Sequence, residues 1–373
     1  MTRPLEGTLV LDFSTLLPGP MATLLLAEAG AEVLKIERPG KGEDMRAYAP
    51  QWGRFGVNFA LLNRGKKSLA LDLKDPTAIA QLRPLIERAD VIVEQFRPGV
   101  MARLGLDYES VRKINPRIVY CAITGYGQDG PKRDVAGHDL NYIGDAGLLA
   151  LSMGQFDHPT VPPALIADIA GGAYPAVMNI ILALHNRTRT GEGCFLDVAM
   201  TDGLFPFMYW AMGQLAATGQ PPGNGAELVT GGTARYHLFP TRDGKVVAAA
   251  PIEQKFWETF CEIIALDPAL RDDSRDPQAT LNRCAEIIRS EDSETWRGKF
   301  AGKDCCCSVV ATIADALNDP HFKARGLFDH TVTNAAGAHM PALPVPIAPA
   351  FRADAKTPVA APELGDGNAK YLK

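Results

Sequence analysis

Several things are missing from this chain, and each absence narrows what it can do. No stretch reads as the roughly 20 consecutive apolar residues of a bilayer span, so no membrane partner is expected. The opening MTRPLEGTLVLDF has no basic segment ahead of a long apolar core, so no secretion signal is read there. Positive charge is in deficit, with 38 Lys and Arg against 43 Asp and Glu. The resulting net charge of −5 argues against nucleic acid as the main partner, although clustered basic residues could still hold an anionic ligand. The seven cysteines (Cys121, Cys194, Cys261, Cys284, Cys305, Cys306 and Cys307) are odd in number and lack framework spacing. That pattern implies reduced thiols and a cytoplasmic location. The triple run has no Cys-x2-Cys spacing, and adjacent strand side chains point to opposite faces, so a buried apolar strand is expected there and no metal. The turn after the first strand, STLLPGPMA, lacks G-x-G-x-x-G, so neither a nicotinamide nor a flavin dinucleotide is expected.

What is present is an alternation. TLVLDF (8–13), EVLKIER (32–38), SLALDL (68–73), VIVEQF (91–96) and RIVYCAITG (117–125) read as buried strands, with helices predicted at 20–30 and 76–88. Continuous apolar strands separated by amphipathic helices predict an α/β fold, a parallel sheet covered on both faces. Binding sites in such sheets lie beyond the carboxyl ends of the strands. At 373 residues, two domains are the default. From Asp168 onward, IAGGAYPAVMNIILALHNR reads as a strongly apolar helix, and 197–218 as another. The Gly/Pro-rich stretch 219–234 marks a boundary. Beyond it RYHLFPT, RDGK and VVAAAP read as a hairpin turned by Asp-Gly, followed by helices at 253–265, 276–290 and 294–302. Past 330 the chain is rich in Pro and Ala and is expected to return to the surface of the first domain.

Three segments carry titratable groups that could do chemistry: AGHDLNY (136–142), PPALIADIAGG (162–172) and AAAPIEQKFW (248–257). Each also has an ordinary role. Asp168 is a good helix N-cap, Glu253 in a first helical turn favours the helix dipole, and His138 could be a core histidine. Spacing does not bring the three together, and the residues by themselves support only an α/β enzyme.

These segments nevertheless resemble the family III coenzyme A transferases and the α-methylacyl-CoA racemases (the CaiB/BaiF-like family). The likeness includes PGPMA, KIERPG (35–40), NRGKKSLALDLK (63–74), EQFRPGV (94–100), TGYGQDGP (124–131), AGHDLNY, the PP…AD-x-x-GG stretch and GEG…DVAM (191–200). The resemblance implies acyl-coenzyme A chemistry in which Asp168 is catalytic. In transferases that aspartate is the nucleophile, forming an anhydride and then a thioester. In racemases it is joined by a histidine and a glutamate, here His138 and Glu253, and this triple match favours the racemase. Two acid/base groups must flank an α-carbon that is inverted, and an imidazole and a carboxyl suit the two faces. On this reading the first-turn N–H groups of Ile169, Ala170 and Gly171 would hold the enolate oxygen, and Gly171 and Gly172 would let the thioester approach. Asp168 would feel opposing influences, a helix start lowering its pKa and burial with a nearby Glu253 raising it. Arg38, Arg64, Lys66, Lys67, Arg97 and Arg103 are candidates for the coenzyme phosphates, with Phe96 and Tyr126 packing on the adenine or pantetheine. Met208, Tyr209 and Trp210 are possible pocket residues, and Asp145 is a carboxyl without an assigned role.

The resemblance also implies an interlocked homodimer: a Rossmann-like large domain at 1–196 completed by 328–373, linker helices at 197–229, a smaller α+β domain at 230–308 and a return linker at 309–327. No cofactor is expected beyond the coenzyme A carried by the substrate.

Overall fold

The computed structural model of the chain describes residues 3–372. Leu9–Asp12 (β1), Pro18–Glu28 (α1), Glu32–Glu37 (β2), Lys67–Ala70 (β3), Ala78–Arg88 (α2), Val91–Glu94 (β4) and Val119–Thr124 (β5) follow the expected alternation. Asp139–Asp145 (α3) comes next. A seven-residue segment of π geometry, Ala167–Ala173, then runs straight into Tyr174–Thr190 (α4), which leads to Cys194–Ala199 (β6). The six strands form one sheet in the order β6-β5-β4-β1-β2-β3, and every pairing is parallel. Its central strands are dry on both faces: Val10, Leu11, Ile92, Val93, Cys121 and Ile123 have no exposed surface. Each such side chain contributes roughly 1.5–3 kcal/mol by leaving water, so uninterrupted apolar runs belong here.

The chain lays down β2 and β3 on one side of β1, then returns to place β4, β5 and β6 on the other. Strand order therefore reverses between β1 and β4, and the loops leaving their carboxyl ends part to open a crevice. The edge strand β3 is covered by the C-terminal segment, where Asp366 accepts from the Ser68 N–H at 2.8 Å and Asn368 pairs with both backbone groups of Ala70. A covered edge cannot recruit foreign strands.

Strand β6 corrects the helix read over 197–218. Leu196 and Val198 carry a period-two pattern that pairs with β5, Asp202–Met208 is a 3-10 turn, and α-helix begins only at Tyr209. The reading that no segment could span a bilayer also needs correction. By length and hydropathy the 24 residues Ala167–Thr190 would suffice. Their apolarity has a packing cause on one side, where Ala176, Ile180 and Ala183 are buried.

The chain divides into two compact units. The first comprises the chain up to Ala146, Pro163–Phe207 and everything from Pro320; the second comprises Gly147–Pro162 and Met208–Asp319. In the second, His237–Pro240 (β7) and Val246–Ala249 (β8) form the antiparallel hairpin, with Gly244 at φ 74° in its turn. Gln254–Ile263 (α5), Pro277–Arg289 (α6) and Ser293–Phe300 (α7) follow, and Cys307–Val309 (β9) adds to β8. Phe239, Trp257, Phe260, Trp296 and Phe300 are the largest side chains of this core. The cysteine run is not a continuous buried strand. Cys305 is buried, Cys306 is exposed at φ 50°, and the Cys307 thiol donates back to the Cys305 carbonyl at 3.1 Å; the strand starts only at Cys307.

Candidate active site

The crevice at the reversal point is a cleft of about 490 Å³ in the first unit. Thr15 and Leu16 line it from the loop after β1, Gln95, Phe96 and Arg97 from the loop after β4, and Gly125 and Tyr126 from the loop after β5. Into the same cleft face His138, Asn141 and Tyr142 around the start of α3, and Asp168 at the start of the long helix. Five of the residues singled out in the sequence thus share one cavity: His138, Asp168, Phe96, Arg97 and Tyr126.

The start of α3 builds its own support. His138 is extended (φ −126°, ψ 176°) and exposed, its N–H donates to Asn141 Oδ1 at 3.0 Å, and its carbonyl accepts from the Asn141 and Tyr142 N–H groups. Tyr142 is buried and its hydroxyl donates to the Gly137 carbonyl at 2.6 Å. The ring lies so close to Gly125 that a Cβ there would sit 2.4 Å from it, which explains glycine at that position.

Asp168 is not an N-cap. It stands inside the first turn of the π segment, and the capping is done from another element. The buried carboxylate of Asp139 accepts from the Asp168 N–H at 2.9 Å and also from the N–H groups of Ala167 and Ile166. These are the orphan donors of a helix start, and an anion there is favoured by the dipole as well. The consequence for Asp168 is the opposite of a helix-lowered pKa. Burial, and next the neighbouring Asp139 carboxylate, push it up from 3.8 to about 6, with His138 pulling the other way.

The expected oxyanion donors are also revised. The Ile169 N–H donates to the Leu165 carbonyl at 3.2 Å and is engaged within the helix. Gly171 and Gly172 serve packing rather than substrate approach. A Cβ on Gly171 would lie 2.3 Å from the Met200 carbonyl, and one on Gly172 would lie 2.9 Å from the Met200 side chain and 3.3 Å from Pro18.

Two basic candidates are ruled out by burial. Arg64 spends its guanidinium on Glu28 (2.7 and 2.8 Å) and on the Leu61 and Leu343 carbonyls. Lys66 is enclosed by Asp12, Thr23, Asn63 and the Pro20 carbonyl at 2.8–3.1 Å, and burial lowers its pKa to about 8. Both are spent on partners inside the fold and neither can reach a ligand. Arg38 pairs with Asp44 and donates to the Gly42 carbonyl, lining a second cavity of about 1050 Å³ with Lys41, Arg46 and Arg54. Lys67 lies near Asp366, and Arg103 is exposed at the end of a short helix; neither lines the cleft. Phe96 both lines the cleft and packs against the core.

Asp145 now has a role. It ends α3, accepts from the Tyr126 hydroxyl at 2.7 Å and pairs with Lys132 at 2.8 Å, and these two bonds hold its pKa below the usual carboxylate range. Tyr126 in turn meets Tyr142 edge-on at 5.2 Å between ring centres. The sequence reading missed Gln95, Arg133, Asn141 and Tyr142 as cleft residues, although AGHDLNY and EQFRPGV contained three of them. Glu253 belongs to the second unit, where it is exposed and N-caps α5, its carbonyl accepting from Phe256 and Trp257 at 3.0 Å. Among the described residues, no group of three or more His, Cys, Asp or Glu could hold a metal ion.

The fold and this cleft define an α/β protein with a candidate active site at the strand-order reversal, and comparison with known proteins gives the family. The family described as CoA-transferase family III matches residues 5–368, and the chain belongs to that family. It is 35% identical over 330 residues to the human α-methylacyl-CoA racemase, covering 87% of this chain and 82% of that one. It is 32% identical over 356 residues to the acetyl-CoA:oxalate CoA-transferase of Acetobacter aceti, covering 92% and 89%. A solved CaiB/BaiF family protein from Brucella suis superposes with a TM-score of 0.82 at 28% identity, covering 99% of this chain and 98% of the other.

Proposed function

We propose that this enzyme is a racemase that inverts the α-carbon of 2-methylacyl-CoA thioesters by proton transfer through an enolate. The observation that carries the reading is that His138 and Asp168 face one cleft, with Asp168 pushed up to about 6. A carboxyl near neutrality exchanges a proton in both directions at little cost, which suits a group that must act as base for one enantiomer and acid for the other. His138 serves the opposite face of the α-carbon. The thioester raises the acidity of the α-hydrogen, so side chains alone can run the reaction.

Arg38, Phe96, Arg97 and Tyr126 are proposed to hold the coenzyme A part, with Lys67 and Arg103 as outlying basic candidates. Glu253 is proposed as a third acid/base group on the strength of its match to the racemase pattern. A homodimer is proposed as well. It is supported by α4, which leaves Tyr174, Met178, Ile181 and Leu182 exposed along one helical face, a stripe at i, i+4, i+7 and i+8 that water does not favour. A cytoplasmic location is proposed on the cysteine pattern.

A second reading has its own support. Transferases stand among the relatives at nearly the same identity as racemases, and Asp168 is ionised enough above about pH 6 to attack a thioester. It would then carry coenzyme A between carboxylic acids. The two readings separate on one experiment: purified protein, 2-methylacyl-CoA, heavy water and no acceptor acid. Deuterium entering the α-position with loss of optical purity, abolished in His138→Ala, supports the racemase. Absence of exchange across several chain lengths moves the assignment to the transferase, to be pursued by trapping an acyl group on Asp168.

A further inference from the structure

Among the described residues of the first unit, Leu16 alone, apart from glycines, has a positive φ, at 63°. A leucine disfavours this left-handed conformation because its Cβ crowds the following carbonyl, so something must hold it there. The structure shows what does. The carboxylate of Glu43 accepts from the Leu16 N–H at 3.1 Å, and Lys35 pairs with that same carboxylate oxygen at 3.2 Å while donating to the Ser14 carbonyl at 2.8 Å. Asp12 takes the N–H and hydroxyl of Ser14. The Lys35 and Glu43 side chains are 0% and 1% exposed, so the clamp works away from water, where a charged hydrogen bond is strong. Leu16 itself lines the cleft that also presents Phe96 and Arg97.

We propose that Glu43, anchored by Lys35, is a positioning residue for coenzyme A, holding Leu16 in the left-handed conformation that shapes the cleft wall beyond β1. This rests on the reading of the cleft as the coenzyme A site. Ion pairs this deep trade desolvation against attraction with little net gain in stability, so the effect assigned to this one is the geometry it imposes on the strained loop rather than folding energy. Glu43 touches no substrate in this account; it acts through the backbone of Leu16.

The test is calorimetric titration of coenzyme A into the full-length protein and its variants. Glu43→Gln is expected to weaken binding about tenfold, the usual consequence of losing one charged hydrogen bond. The same substitution made in a Leu16→Gly or Leu16→Asn background is expected to cost less than about threefold, because these residues adopt positive φ with little or no penalty. In a Leu16→Ala background the full tenfold loss should return, since alanine keeps the Cβ. A Glu43→Gln penalty of the same size in all backgrounds overturns the proposal. Should Glu43→Gln not fold because buried Lys35 is left unpaired, the Lys35→Met/Glu43→Gln pair, which leaves no unpaired charge, replaces it in the same Leu16 backgrounds, with the same expected losses and the same overturning result. Unaltered protein that does not bind coenzyme A takes down the site reading and the proposal together. Binding by unaltered protein with a background-independent loss takes down the positioning role alone.

Discussion

The carboxylate of Asp139 accepts a hydrogen bond from the backbone N–H of Asp168 at 2.9 Å, joining the residue after His138 to the other catalytic candidate 29 positions later. One side chain therefore caps the helix that carries Asp168 and places a negative charge beside it. Structural support and pKa tuning come from the same group.

Replacing Asp139 by Asn separates those two roles. Asparagine can still accept from the helix start, so the loss of stability should stay within the ~0.5–2 kcal/mol of a weakened cap. Removing the charge takes away the second-largest cause of the raised Asp168 pKa, which should fall below about 6. A pH profile of kcat/KM for α-proton exchange checks this. Its acid limb, expected near pH 6 in the unaltered enzyme, should move to lower pH, and an unmoved limb would contradict the assignment.

Asp168→Asn is expected to abolish activity and stabilise the fold at the same time. Folding raises the Asp168 pKa from 3.8 to about 6, so the folded state disfavours the ionised form. That cost is absent below pH 3.8, grows between 3.8 and about 6, and is complete above about 6. A neutral amide removes it, worth about 1–2 kcal/mol once discounted for partial exposure. Thermal denaturation should show the variant gaining on the parent at pH 8 and losing that advantage at pH 4.

The basic residues should divide cleanly between folding and binding. Lys66→Ala leaves Asp12 buried without its partner and is expected to cost about 3–5 kcal/mol of stability by urea denaturation. Arg97→Ala lies in the cleft and should leave the Tm within a few degrees while raising KM for the acyl-CoA about tenfold or more. An Arg97→Ala enzyme with unchanged KM would remove it from the coenzyme site.

The exposed face of α4 provides the test of assembly. Met178→Glu and Leu182→Glu introduce charge at positions 58% and 59% exposed, where a lone chain should tolerate it. If a second copy covers this face, sedimentation should shift from dimer towards monomer, with activity falling in parallel. A monomeric parent protein would sink the homodimer.

Much of this architecture was legible in the chain because its signals are local. Short apolar runs such as the LVL of LVLD and the VIV of VIVE can be satisfied only between two covered faces, and Asp-Gly at 243–244 supplies the turn its hairpin needs. The motifs around His138 and Asp168 carried the resemblance to the family, and the tertiary structure places both residues in one cleft. What the sequence could not decide was the fate of individual charges. Lys66 and Lys67 are neighbours in NRGKKS, yet one is walled in by Asp12, Thr23 and Asn63 while the other is half exposed. Arg64 is satisfied by residues 36 and 279 positions away. Whether a cation binds a ligand or a fold depends on partners brought together across the chain and on the water excluded around them. Only the tertiary structure sets those, and it likewise gave the capping of the Asp168 helix to Asp139 and the left-handed Leu16 to Glu43.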